Sequence, residues 1–303
     1  MVSQIELVEV SARDGLQNEP EIVGTEAKLE LIARSVAAGL KRLEVASFVN
    51  PTKVPQMADA AEVMAGLPKN DGATYIALAL NRRGFERAAE AGAKEVNFVL
   101  AASDAFAMRN SGAPMLGLVD ALAEVTPLAR AANIRVSATI SVAFGCPFEG
   151  ETPAETVADL VRRAADAGVF EVALADTIGV GAPSQVRDLF ARAKAAAPGV
   201  QLRAHFHNTR NTALANALAA VECGVRVIDG SLAGVGGCPF APGAAGNVPT
   251  EDLVYMFERM GIATGVDLDG AIEAARFISR TLGKATPGMV SKAGGFPKAA
   301  VQA

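Results

Sequence analysis

The chain has 303 residues, half of them hydrophobic and a fifth charged, with a formal net charge of -5. That length provides one large domain or two small ones with a sizeable core. The acidic balance, the lack of Trp and the absence of Lys/Arg runs argue against nucleic acid and anionic membrane surfaces as partners. No apolar stretch approaches the roughly 20 residues of a membrane span. A β-type run begins directly after Gln4, which leaves no room for a targeting segment. The three cysteines, Cys146, Cys223 and Cys238, are odd in number and far apart. Together these features predict a cytoplasmic protein with free thiols.

Eight β-type runs follow one another, at 5–10, 42–46, 75–80, 95–100, 135–142, 171–175, 202–207 and 226–230. Amphipathic, alanine-rich segments of helical length separate them, such as 25–38, 115–132 and 209–223. Strict alternation predicts a parallel sheet, and eight units predict closure into a single (β/α)8 TIM barrel of the α/β class. An open doubly wound sheet has the same alternation, but no glycine-rich dinucleotide fingerprint follows the first run. Gly39, Gly92, Gly168 and Gly224 each end a helix just before runs two, four, six and eight, as a barrel of doubled units would repeat. Thr152-Pro153-Ala154-Glu155 reads as an N-cap, a first-turn proline and a capping-box glutamate, and Pro183 opens the helix after run six. A glycine-rich loop, residues 234–247, follows run eight and is expected to be mobile over the barrel mouth. Helices at 250–260 and 268–281 come next. The barrel with these helices is expected to span 1–283, and 284–303 to form a loosely ordered tail.

Active sites in this barrel type lie at the C-terminal ends of the strands. His205 and His207, the two histidines of the chain, stand at i and i+2 at the end of run seven, so a strand points both to one face, where they can share a metal ion. Run one ends in Arg13 and Asp14, run two holds Glu44, run six ends in Asp176, and the last loop supplies Cys238 and Asn247. A carboxylate, an amide oxygen and two imidazoles favour Mg2+ or Mn2+, whereas zinc more often recruits thiolate or a third histidine. Each residue also has a plain structural role open to it. Glu44 and Arg13 fit a buried ion pair, Asp176 a loop cap, and Cys238 a small residue in a turn.

Several segments resemble the hydroxymethylglutaryl-CoA lyase family of the DRE-TIM metallolyases. They are Ala12-Arg13-Asp14-Gly15-Leu16-Gln17, Leu43-Glu44-Val45-Ala46-Ser47-Phe48, Ala175-Asp176-Thr177-Ile178-Gly179, His205-Phe206-His207, and Gly236-Gly237-Cys238-Pro239-Phe240 with Gly246-Asn247. The resemblance runs from about residue 6 to about residue 265. It implies metal ligands at Asp14, His205, His207 and Asn247, catalytic roles for Arg13 and Cys238, and support from Glu44 and Asp176. It further implies a divalent cation (Mg2+ or Mn2+), an acyl-CoA thioester substrate, a homodimer, and a place in leucine catabolism and ketone-body formation. The implied reaction cleaves 3-hydroxy-3-methylglutaryl-CoA, or an analogue altered at C3, to acetyl-CoA and a keto acid. Asp14 and His205 are candidates for the base. One departure stands out: Asn208-Thr209-Arg210-Asn211 replaces the family's Asp-Thr-Tyr-Gly, which makes Arg210 the place to look for altered selectivity. The rival readings are a Claisen-type acyl-CoA/2-oxo acid synthase of the same superfamily and a non-catalytic metal-binding barrel.

Overall fold

The computed structural model describes residues 2–237 and 246–297. Eight parallel strands close into a barrel in sequence order, β1 pairing with both β2 and β8. The strands are β1 (Glu6–Glu9), β2 (Arg42–Ser47), β3 (Thr74–Ala79), β4 (Glu95–Ala101), β5 (Arg135–Ser141), β6 (Glu171–Asp176), β7 (Gln201–Phe206) and β8 (Val227–Gly230). The helices follow as α1 (Thr25–Ala37), α2 (Ala60–Gly66), α3 (Arg82–Glu90), α4 (Asp104–Ser111), α5 (Met115–Ala131), α6 (Ala154–Asp166), α7 (Pro183–Ala196) and α8 (Ala213–Glu222). The last three are α9 (Thr250–Arg259), α10 (Leu268–Leu282) and α11 (Val290–Ala293). No helix among the described residues is long and apolar enough to cross a membrane.

Alternation along each strand splits the buried residues into two environments. Leu7, Leu43, Val45, Phe98, Leu174, Phe206 and Ile228 face the helices and form the large apolar core with them. On the opposite parity, Val8, Val10, Ile76 and Val227 form a separate small cluster. They share the barrel interior with buried polar and charged residues, Arg42, Glu44, Glu95, Asn97, Glu171, Arg203, His205 and Asp229. Near the strand starts Arg42 is clamped between Glu95 and Glu171, with 2.8 Å bonds to both Glu171 oxygens. Arg135 bonds the second Glu95 oxygen at 2.6 Å and Arg203 Nη1 lies 3.3 Å from Glu171, so each of these buried carboxylates faces two guanidinium groups.

The four repeat glycines, 39, 92, 168 and 224, all take positive φ (86° to 101°) before an even-numbered strand, which is the backbone reason for that repeat. Two helix starts differ from expectation. Helix α6 begins at Ala154 without a side-chain cap, because the Thr152 hydroxyl donates instead to the Val142 carbonyl at 2.7 Å. Helix α8 begins at Ala213, not 209. The Asn208 side chain accepts the Ala213 N–H, and Asn211 turns through φ 57°. In the tail from residue 284, the described part is 284–297. The Asp252 carboxylate accepts the Val290 N–H at 2.7 Å, and the Gly288 N–H donates to the Ala233 carbonyl at 3.0 Å.

Candidate active site

The chain leaves β1 through one π-helical turn, Ser11–Gly15, which lifts Arg13 and Asp14 over the barrel mouth. Glycine is required where this turn meets the last loop, since a Cβ on Gly15 would lie 2.7 Å from Val235 Cγ2. Arg13 is held on two sides. Its Nε and Nη2 contact Glu44 Oε1, and its Nη1 donates to Asp14 Oδ1 at 2.7 Å. The second Glu44 oxygen accepts from Asn97 Nδ2 (2.7 Å), and Asn97 Oδ1 accepts from Thr139 (3.0 Å). A guanidinium fork held this way is fixed in both position and orientation.

His205 and His207 project from the end of β7 with their Nε2 atoms 3.1 Å apart. Asp14 Oδ2 is 3.9 Å from each. His205 Nδ1 bonds Asp229 Oδ2 at 3.0 Å, which turns its Nε2 toward the group. Asn247, bridged to His207 through the backbone, donates from Nδ2 to Asp14 Oδ2 at 2.8 Å, while its Oδ1 is buried without a hydrogen-bond partner.

The electrostatics separate the two rings. Burial presses both toward the neutral form. In His205 the Asp229 hydrogen bond and charge, with Asp14, outweigh burial and raise the pKa. In His207 burial and the charge of His205 prevail, bringing it down to about 4. Asp14 is buried too, but Arg13 and then the two imidazoles hold its carboxyl well below the usual carboxylate range.

These residues fit a divalent cation. The ligand atoms of Asp14, His205 and His207 all lie within 4.8 Å of one another. Adjacent ligands around an octahedral ion with bonds near 2.1 Å stand about 3 Å apart, close to the spacing here. The buried, unpartnered Asn247 Oδ1 is a further hard donor of the right type.

A cavity of about 660 Å3 opens from this group across the barrel mouth, lined by Arg13, Asp14, Asn97, Thr139, His205, His207 and Asp229 on its inner side. Glu44 stands directly behind Arg13. Asp176 does not line the cavity. Its two oxygens accept the Val180 and Gly181 N–H groups, both at 2.9 Å, so it caps the loop after β6, and burial raises its pKa. Arg210 also stays out of the cavity, in contrast to the expectation for selectivity. Its Nη1 donates to the Ile178 and Gly179 carbonyls at 3.0 and 2.9 Å and binds the same loop. Cys238 and the loop through residue 245 lie outside the described residues.

Sequence reasoning missed Asp229, Asn97 and Thr139. Asp229 was legible in principle, as the acid closing Val-Ile-Asp-Gly on the last strand with the parity of the barrel interior. Asn97 and Thr139 sit mid-strand, where only the register reveals the contact.

The family model described as HMGL-like matches residues 4–278. The mitochondrial hydroxymethylglutaryl-CoA lyase of Macaca fascicularis is 44% identical over 290 residues, covering 96% of this chain and 89% of its own length. The Pseudomonas mevalonii hydroxymethylglutaryl-CoA lyase is 44% identical over 284 residues, covering 93% of both chains. Among solved structures, hydroxymethylglutaryl-CoA lyase from Pseudomonas aeruginosa superposes with TM-score 0.93 at 42% identity, covering 97% of this chain and 98% of that one. An HMG-CoA lyase from Acinetobacter baumannii, in complex with coenzyme A and 3-methylmalate, gives TM-score 0.93 at 39% identity, with 98% of each chain covered.

Proposed function

The chain belongs to the HMGL-like family, and from that premise we propose that its barrel mouth is the centre of a metal-dependent carbon–carbon lyase. The reaction cleaves 3-hydroxy-3-methylglutaryl-CoA to acetyl-CoA and acetoacetate, a step of leucine catabolism and ketone-body formation. The observation that carries this reading is the close triangle of Asp14 Oδ2 and the two Nε2 atoms, with Arg13 against Asp14.

The bond breaks when the 3-hydroxyl loses its proton and collapses to a ketone, and the departing fragment is a thioester enolate. A divalent cation, Mg2+ or Mn2+ by the nitrogen and oxygen donor set, supplies Lewis acidity to the substrate hydroxyl when bound. Asp14, His205, His207 and Asn247 are the residues that would hold it. Glu44 and Asp14 occupy part of the Arg13 fork, and each Nη retains a second hydrogen with which to meet the enolate oxygen. Asp14 or His205 takes the hydroxyl proton. Cys238 returns a proton to the enolate carbon. Asp176 acts by holding the loop after β6. Outward, the cavity passes Phe48, Leu78 and Leu80 to a rim with Lys53, Arg83 and Arg87, a cationic path suited to the CoA phosphates. We further infer a cytoplasmic homodimer, the location from the free thiols of Cys146 and Cys223.

The test is mass spectrometry of products from a panel of 3-hydroxyglutaryl-CoA thioesters varied at C3, with malyl-type thioesters alongside. Acetyl-CoA with the matching keto acid is expected, and from 3-hydroxy-3-methylglutaryl-CoA it is acetoacetate. No cleavage of any member by metal-loaded protein would favour the synthase reading.

A further inference from the structure

Arg203 is the buried charge this mechanism leaves unused, and it lies inside the barrel below the histidines. It precedes His205 by two residues on β7, shares its face, and is 1% exposed. Its Nε is 3.4 Å from Asp229 Oδ1, its Nη1 is 3.3 Å from Glu171 Oε1, and its Nη2 donates to Thr139 Oγ1 at 3.4 Å. Nε, Nη1 and Asp229 Oδ1 have no hydrogen-bond partner, so the tie to Asp229 is charge attraction at close range. A guanidinium is charged at every working pH, and burying it without counter-charges is strongly unfavourable. Glu171 on one side and Asp229 on the other supply them.

Two chains of contacts run upward from this one side chain. The first goes through Asp229 Oδ2 to His205 Nδ1 at 3.0 Å, and across the ring to the Nε2 that faces His207. The second goes through Thr139 to Asn97 Oδ1 (3.0 Å), from Asn97 Nδ2 to Glu44 (2.7 Å), and on to Arg13. Downward, Glu171 also bonds Arg42, so the guanidinium is braced against the ion network at the strand starts.

We propose that Arg203 is a positioning residue whose guanidinium pins the Asp229 carboxylate against His205 Nδ1 and so fixes the imidazole with Nε2 aimed at the cation. The proposal rests on the metal-site reading above. Without the positive charge, the Asp229 carboxylate loses the partner that sets its angle, and its bond to His205 loosens. The imidazole then gains freedom about its side-chain torsions. Metal affinity falls through His205, while the thioester-binding part of the cavity is untouched.

The chain contains two histidines, so the long-range 1H–15N spectrum of untagged, metal-free protein holds two imidazole patterns. In the wild type the His205 Nδ1 proton is expected as a downfield, slowly exchanging signal. In R203M that signal should be lost or broadened. Titration with Mn2+ followed by electron paramagnetic resonance should show Kd raised about 10- to 100-fold in R203M and in D229N. The double variant should be no weaker than D229N alone, because Arg203 acts through Asp229. KM for the thioester should stay within about 2-fold while kcat falls. R203M with the wild-type signal and wild-type Kd overturns the proposal, as does a double variant in which the two losses multiply. Should R203M be too unstable to purify, R203M/E171Q, which also removes the carboxylate that faced Arg203 Nη1 and leaves Glu95 on Arg42, carries the same readouts and the same outcomes. A wild-type protein that binds no Mn2+ sinks the metal reading instead, and the imidazole spectrum still decides whether Arg203 holds Asp229 on His205.

Discussion

His207→Ala is expected to leave a folded barrel that has lost turnover and Mn2+ affinity by roughly 10^2-fold or more, at or above the range for residues that merely support a ligand. The fold should survive because little else depends on the ring. Its Nε2 faces His205 at 3.1 Å and its Nδ1 has no partner, so no backbone group is left unsatisfied when the imidazole goes. The effect on metal should be large because the neutral imidazole is the ligand form, and burial already holds this ring neutral, with its pKa brought down to about 4. Thermal denaturation, Mn2+ titration and initial rates measured on one preparation separate these effects. Near-normal turnover in the alanine variant would remove His207 from the site.

Cys238→Ser should fold, bind its metal and lose about 10^2- to 10^4-fold in turnover, the usual contribution of a general acid. A thiol with a reference pKa of about 8.5 is protonated at neutral pH yet yields its proton readily, whereas a hydroxyl is a far weaker acid. Cys238 should also be the thiol that alkylating agents reach first. Cys146 is 4% exposed, with its Sγ 3.0 Å from Ser103 Oγ, and Cys223 is half-buried with a pKa raised by burial. Substrate or a product analogue should protect Cys238. A serine variant with near-normal rate, or alkylation that substrate does not slow, would take the acid role from this residue.

The barrel was legible because its signal is redundant. Eight runs, the helices between them and four left-handed glycines all repeat one unit, so an error at any single boundary leaves the topology intact. Boundaries failed where a local bond competes with helix propensity. The Asn208 side chain and the positive φ of Asn211 delay α8 to Ala213, and Thr152 is drawn away from its capping position by the Val142 carbonyl. The convergence of Arg13, Asp14, Glu44, His205, His207 and Asn247 was legible from strand ends and motif resemblance. The contacts beneath them were not. Asp229 and Arg203 meet because β7 and β8 pair in one register, with Arg203 opposite Val227 and Ala204 opposite Ile228, a relation across the sheet that one sequence does not print. Arg210 shows the converse. A sequence departure beside the second histidine made it the place to look for altered selectivity, and the side chain turns to the Ile178 and Gly179 carbonyls.

The most direct measurement is product formation from 3-hydroxy-3-methylglutaryl-CoA by purified protein before chelation, after chelator treatment and gel filtration, and after Mg2+ or Mn2+ is restored. Acetyl-CoA and acetoacetate should form in equal amounts, stop when the metal is stripped, and return when either ion is added back. Full cleavage by rigorously stripped protein, or none by protein shown to hold metal, would contradict a metal-dependent lyase at this barrel mouth.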